Sequence, residues 1–434
     1  MNNRNSIDLW TLAIPIALEA FFQMLFGFAD TYVLSQYSNL SVAAVGYVNQ
    51  FLSLILLLFR VCASGTSILL AQSIGAKNTN RQLQICTAAL TISSIVGLIS
   101  FVIIRVFCKN FIYLLQMDKS LWTDATSYLT IMSYSLFFQA MFTIFTAIFR
   151  NYHKAFFTSF ISVFANLLNV IGDLLVVSQK LHLFGTVKDV ALVTVLSNFT
   201  AFLLIFVIFL FHKGIRIISI PSKSICKEII RLGLPAVGES CSYKCSQMAI
   251  TVFIGLLGTN AMTAKVYTMN LTGFIILLPN SIAIAAGILV GIAAGAKDNN
   301  KEQLIITSCL KKGNFTIIVL DFIFLLFGQT FLKIFTTDSQ ILSLSYFVLI
   351  LDMITMFAKN GNLIYGNSLR AIGDVIYPVK IYILSMWIIG TGFAFIVGMK
   401  FELVGFYVAF LFDEVIRSLL LKKRWYKETK RSIV

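Results

Sequence analysis

A helix of roughly 20 apolar residues is long enough to cross the hydrocarbon core of a bilayer. This chain of 434 residues holds twelve such runs in succession, at about 9–34, 42–71, 83–108, 124–149, 156–178, 188–212, 228–257, 262–292, 304–328, 341–366, 376–398 and 402–421, each bounded by polar clusters. They predict an all-α polytopic membrane protein with twelve transmembrane helices. Composition agrees, since 58% of residues are hydrophobic and 12% charged, against about 25% charged in a soluble globular domain.

A net charge of +15 would suggest a nucleic-acid partner in a soluble protein. Here the spans sort it by side. With the N-terminus inside, twenty-two of the 34 Lys and Arg residues fall in cytoplasmic loops, tails or the span ends beside them, and seven on or beside the outer loops. That asymmetry obeys the positive-inside rule, so the basic excess reports topology and contact with anionic lipid, and nucleic acid is excluded. Both termini are expected in the cytoplasm of a cell with this chain in its inner (plasma) membrane. The remaining five, Arg60, Lys244, Lys265, Lys359 and Arg417, lie inside spans. The seven cysteines are scattered and far from His153, His182 and His212, which suits packing rather than a disulfide or metal site. The first run is too long and too acidic for a cleaved signal peptide. No G-x-x-x-x-G-K-[ST] motif occurs, so ATP-driven transport is not indicated.

The chain repeats itself. AIPIALEA around Pro15 matches GLPAVGES around Pro235, SIGAKNTNRQ around Gly75 matches AAGAKDNNKEQ around Gly295, and FRNYHK at Arg150 matches LRAIGD at Arg370, always 220 residues apart. The charged stretch 212–231 reads as a cytoplasmic linker between an N-lobe, 1–211, and a C-lobe, 232–434. Six helices per half leave both halves in the same orientation, a parallel repeat with a central cavity between two pseudo-symmetric six-helix bundles, the build of a transporter. Within the first run, Pro15, Glu19 and Asp30 demand a reason, because an intramembrane aspartate costs about 2.5 to 3.5 kcal/mol on insertion scales. They point to a helix that holds an ion site and bends at Pro15.

These motifs, together with AAVG (Ala43 to Gly46), NLLNVIGD on the fifth span, and Pro378 and Met386-Trp387 after SLRAIGD, resemble the multidrug and toxic compound extrusion (MATE) transporters of the MOP flippase superfamily. The resemblance covers nearly the whole chain. It implies a V-shaped cavity between lobes and no enzymatic activity. It also implies a secondary active antiporter that exports small organic, cationic or amphipathic drug-like compounds in exchange for Na⁺ or H⁺. In one branch the coupling site pairs an aspartate fifteen residues after the first proline with an Asn-x3-Asp pair on helix five. Here those are Asp30, Asn169 and Asp173, a candidate Na⁺ site to which Asn166 and Thr194 are added. Asn166, Asn169 and Asp173 share one helical stripe, and such oxygen ligands suit Na⁺ or a shared proton.

Pro15 and Pro235 are the expected bending points. Glu19 and Glu239 follow them at equivalent positions, Glu19 as a cavity carboxylate or as a partner for freed backbone or for Arg60. The C-lobe departs from the family: Tyr243 and Lys359 stand where some members carry acids. With Lys244, Lys265, Glu239 and Asp352 they make up the remaining cavity candidates. The lysines either pair with Glu239 and Asp352 or form a basic C-lobe cavity, and the second option supports an alternative, a MOP-type exporter or flippase for an anionic, zwitterionic or lipid-linked solute. The expected partners are a small-molecule solute and membrane lipids, with the chain monomeric and no cofactor beyond the coupling ion.

Overall fold

The computed structural model describes residues 4–35, 39–114, 118–178, 186–211 and 221–431, and their side chains at 9–27, 43–113, 118–176, 178, 187–211 and 221–429. No strand occurs among the described residues. The helices are α1 (Arg4–Ser35), α2 (Asn39–Gly75), α3 (Thr79–Leu114), α4 (Trp122–Asn151), α5 (Ala155–Val177), α6 (Thr186–Phe211), α7 (Lys223–Gly255), α8 (Thr259–Gly295), α9 (Asn299–Lys333), α10 (Ser339–Ala371), α11 (Ile376–Trp387) and α12 (Ala394–Arg431). A π-helical segment, Ile388–Phe393, joins α11 to α12, and α12 itself breaks at Phe401 and Glu402, where φ of Glu402 is 55°. That break lies between the eleventh and twelfth apolar runs.

Ten described stretches are long and apolar enough to cross a membrane, against twelve expected. The difference has two causes. Glu239, Lys244 and Gln247 dilute the apolar character of α7, and residues 376–429 count as one stretch because the turn at Phe401 and Glu402 is so short. Of the expected linker, 212–220 lie outside the described residues, while 223–231 already form the first turns of α7.

The repeat is visible in the backbone. α2 and α8 both end in a residue at positive φ, Lys77 at 53° and Lys297 at 56°, and the turns after α4 and α10 do so at His153 (58°) and Gly373 (99°). Each pair is 220 residues apart. The closing bonds match as well: Lys77 N–H donates to the Ile74 carbonyl and Lys297 N–H to Ala294, each at 3.0 Å. Left-handed caps of this kind satisfy the last carbonyls of a helix, so the G-A-K-N and G-A-K-D sequences stop both helices by one device.

By contact the chain forms two compact units. One comprises Leu18–Leu70 and Asn78–Val237; the other comprises Met1–Ala17, Ala71–Lys77 and Gly238–Val434. The chain therefore changes unit two residues after Pro15 and two residues after Pro235. In the first unit, Val48, Leu52, Ile104, Leu129, Leu136 and Val190 build a core among α2, α3, α4 and α6, and Phe138 packs on Phe199 and Phe202 at 5.1 and 5.6 Å. In the second unit, Ile250, Ala264, Val348, Phe406 and Ala409 form one cluster and Ile275, Ile317, Leu349 and Met356 another.

The second unit also contains a very close helix crossing. A Cβ built on Gly75 would lie 1.9 Å from the Ile292 carbonyl oxygen, and one on Gly295 would lie 1.9 Å from that of Gln72. Because 72 and 292, like 75 and 295, are repeat equivalents, α2 and α8 meet about a local pseudo-two-fold. Ala71 and Gly291 sit at its centre, with the Ala71 Cβ 2.7 Å from a Cβ built on Gly291. Lipid offers no hydrophobic drive between helices, so small residues four apart on both partners let the backbones approach and gain dispersion energy instead.

Candidate functional site

Glu19 and Glu239 are held alike. Arg150, at the end of α4, donates to Glu19 Oε2 at 2.8 Å, and Arg370, at the end of α10, donates to Glu239 Oε2 at 2.6 Å. Both pairs span 131 residues. Each acid lies one turn past its proline, so each arginine grips the segment beyond it. The Glu19 carboxylate is buried and also accepts from Ser159 at 2.9 Å and from Gln23 at 3.4 Å. Its partner is thus Arg150 rather than Arg60, which is exposed on α2. On the proximal side of Pro15, Trp10 lies under the Lys312 ammonium at 5.4 Å.

Of the expected coupling residues, Asn169 donates to Thr194 Oγ1 at 3.2 Å, and Thr194 in turn donates to the Val190 carbonyl at 3.0 Å. Asp173, one turn further along α5, is buried, and Asn166 on the same stripe is half-buried. The two helices are brought close here because a Cβ on Gly172 would lie 2.4 Å from Val193. The structure thus joins Asn169 and Thr194 across α5 and α6, with Asp173 buried one turn further along α5. Asp30 is on α1, but its side chain lies outside the described residues.

The second unit contains a partly open cavity of about 260 Å³. Lys265, Lys359 and Arg417 line it, and so do Asp352, Asp413 and Glu414. Tyr243, Met269, Met386, Tyr407 and Phe410 supply apolar surface. The expected basic cavity is therefore balanced in formal charge, three cations against three carboxylates. Lys244 is not among the lining residues, and Glu239 is paired with Arg370. Arg417 bonds Asp413 and approaches Glu414 Oε1 at 3.6 Å. Ser385 donates to Asp413, and Asn362 donates to Glu414. Behind them the Tyr382 ring lies between Arg417, 4.9 Å from its centroid, and Arg370, 5.4 Å away. The π segment reaches this wall through Gly390, whose missing Cβ would sit 3.0 Å from Asp413. π-helical turns recur at such functional walls.

A family model described as MatE matches residues 15–175 and again 235–396. The chain belongs to the MATE family. The two matches start 220 residues apart, on Pro15 and Pro235, as the repeat requires. Among curated relatives, the "Uncharacterized transporter YisQ" of Bacillus subtilis is 30% identical over 97% of this chain and 94% of its own length. A "Probable multidrug resistance protein NorM" of Thermotoga maritima is 27% identical over 97% and 93%. The solved structure described as "MATE in the bent conformation" superposes with a TM-score of 0.90 at 19% identity, over 98% of this chain and 97% of that one. As a MATE transporter with many apolar helices, the protein is a multi-pass membrane protein.

Sequence reasoning missed Asp413 and Glu414 and gave Arg417 no role, and the fold brings all three to the cavity wall. The signal was present: two acids within one turn of an arginine inside an apolar run are too costly to face lipid. It had also matched Arg150 with Arg370, and Glu19 with Glu239, without joining the two matches.

Proposed function

We propose that this MATE transporter is a secondary active antiporter that exports small organic compounds in exchange for Na⁺ or H⁺. The coupling ion is bound at Asp30, Asn169, Asp173 and Thr194. The observation that carries the proposal is the polar contact of α5 with α6, where Asn169 donates to Thr194 and the buried Asp173 follows one turn along α5 in an otherwise apolar bundle. A membrane interior tolerates such groups where they serve an ion path. The name of the Thermotoga relative supports drug-like cargo. Ion binding at these residues biases α1 between straight and bent forms at Pro15, beyond which Glu19 and Arg150 clamp the helix. The protein works as a monomer in the inner membrane with both termini in the cytoplasm.

The test is exchange in proteoliposomes under an imposed Na⁺ or proton gradient. Loss of even an outer partner of an ion ligand costs roughly tenfold to a hundredfold in affinity, so Asp173→Asn and Asp30→Asn, which remove ligands, should each slow gradient-driven efflux at least to that degree. Efflux at the normal rate in both variants would remove the coupling role. Comparing the two gradients identifies the ion.

A second reading is a MOP-type exporter or flippase for an anionic, zwitterionic or lipid-linked solute. It is favoured by Lys265, a buried cation on the cavity wall whose ammonium bonds the Thr251 hydroxyl and meets no carboxylate of the described residues at ion-pair distance.

A further inference from the structure

The cations of the second unit's cavity are not equally satisfied. Arg417 is engaged by Asp413 and Glu414. Lys359 interacts electrostatically with Glu414 and Asp352. Lys265 differs: the residue is 4% exposed, and its ammonium donates to the Thr251 hydroxyl at 2.9 Å, with no carboxylate of the described residues at ion-pair distance. A buried ammonium held by a neutral hydroxyl keeps much of its desolvation cost. An anionic group delivered into the cavity would offset that cost.

A plain anion, however, would add negative charge to a chamber that already holds Asp352 and Glu414. A plain cation would meet Lys265 and Lys359. A solute carrying one charge of each sign leaves the formal balance of the wall unchanged. The volume, about 260 Å³, lies just below the roughly 300 to 1,000 Å³ of drug-sized sites, which suits a body of about one aromatic ring and not a lipid-linked sugar. We propose that this cavity binds a small amphoteric solute, its carboxylate on Lys265 and its ammonium on Asp352, with an apolar body against Met269, Tyr407 and Phe410. The assignment rests on the protein being an exporter and supplies the class of its substrate.

Three probes of one skeleton test it on purified, detergent-solubilised protein: 4-(aminomethyl)benzoic acid, its methyl ester (a cation) and its N-acetyl derivative (an anion). Calorimetry should show the amphoteric acid binding about tenfold or more tighter than either derivative, since each lacks one of two buried charge contacts. Lys265→Met should bring the acid down to the level of the ester while leaving the ester unharmed, and Lys265→Arg should restore the order. Equal binding of all three probes to the wild type, or undiminished binding of the acid to Lys265→Met, would overturn the assignment. If Lys265→Met does not fold, the wild-type comparison still decides. In proteoliposomes, gradient-driven flux of an organic cation with no probe preference would sink the site and leave the exporter standing. The probe preference without any gradient-driven flux would do the reverse.

Discussion

Gly295→Val and Gly75→Val should each cost about 3 kcal/mol or more, enough to remove most monodisperse protein from a detergent extract. Overpacking a core costs about 1 to 3 kcal/mol when neighbouring side chains can shift. Here they cannot give way, because the atoms met are backbone: the Gln72 carbonyl for Gly295 and the Ile292 carbonyl for Gly75, each 1.9 Å from the added Cβ. The helices would have to separate, and separation also breaks the 2.7 Å bond from the Gln72 amide to the Ala371 carbonyl. Gly46→Ala is the control. Nothing lies within 4 Å of a Cβ there, so the exchange should be neutral or gain about 0.5 to 1 kcal/mol from helix propensity. Thermal melting of the four proteins checks the set, and a Gly295→Val melting temperature equal to that of the wild type would refute the close-contact account.

Legibility followed locality. Apolar runs and the G-A-K motifs are written in consecutive residues, so the spans and the repeat could be read directly. The Glu19–Arg150 and Glu239–Arg370 pairs could not, because which helix ends meet is decided by packing between elements 131 residues apart. The repeat nevertheless carried a usable clue: opposite charges kept at one offset in both halves. Whether the intramembrane lysines face acids could not be read from the sequence, because only the path of α12 after Glu402 brings Asp413 and Glu414 to the cavity wall. Asn169 and Asp173 were named through the family resemblance, and the structure joins Asn169 to Thr194 on α6 by a hydrogen bond that no sequence spacing shows.

Neutralising one member of a repeated ion pair should strand the other. Side-chain exposure is 19% and 8% for Arg150 and Glu19, and 16% and 19% for Arg370 and Glu239. Removing one partner of a buried pair typically costs about 3 to 5 kcal/mol, whereas removing both is often close to neutral. Arg370→Met should therefore melt well below the wild type, and the double variant Glu239→Gln, Arg370→Met should recover most of the loss. The two halves should differ in degree. After Arg150→Met, Glu19 keeps its bonds from Ser159 and Gln23, and a hydrogen bond to a charged group contributes about 1.5 to 3 kcal/mol. Glu239 has no such second donor among the described residues, and its slightly greater exposure offsets little of that. Arg370→Met should consequently be the more damaging by about 1 to 2 kcal/mol. Melting curves for the four single and two double variants form two cycles that measure this. Equal losses in both halves would show that Ser159 and Gln23 do not hold Glu19 once Arg150 is gone.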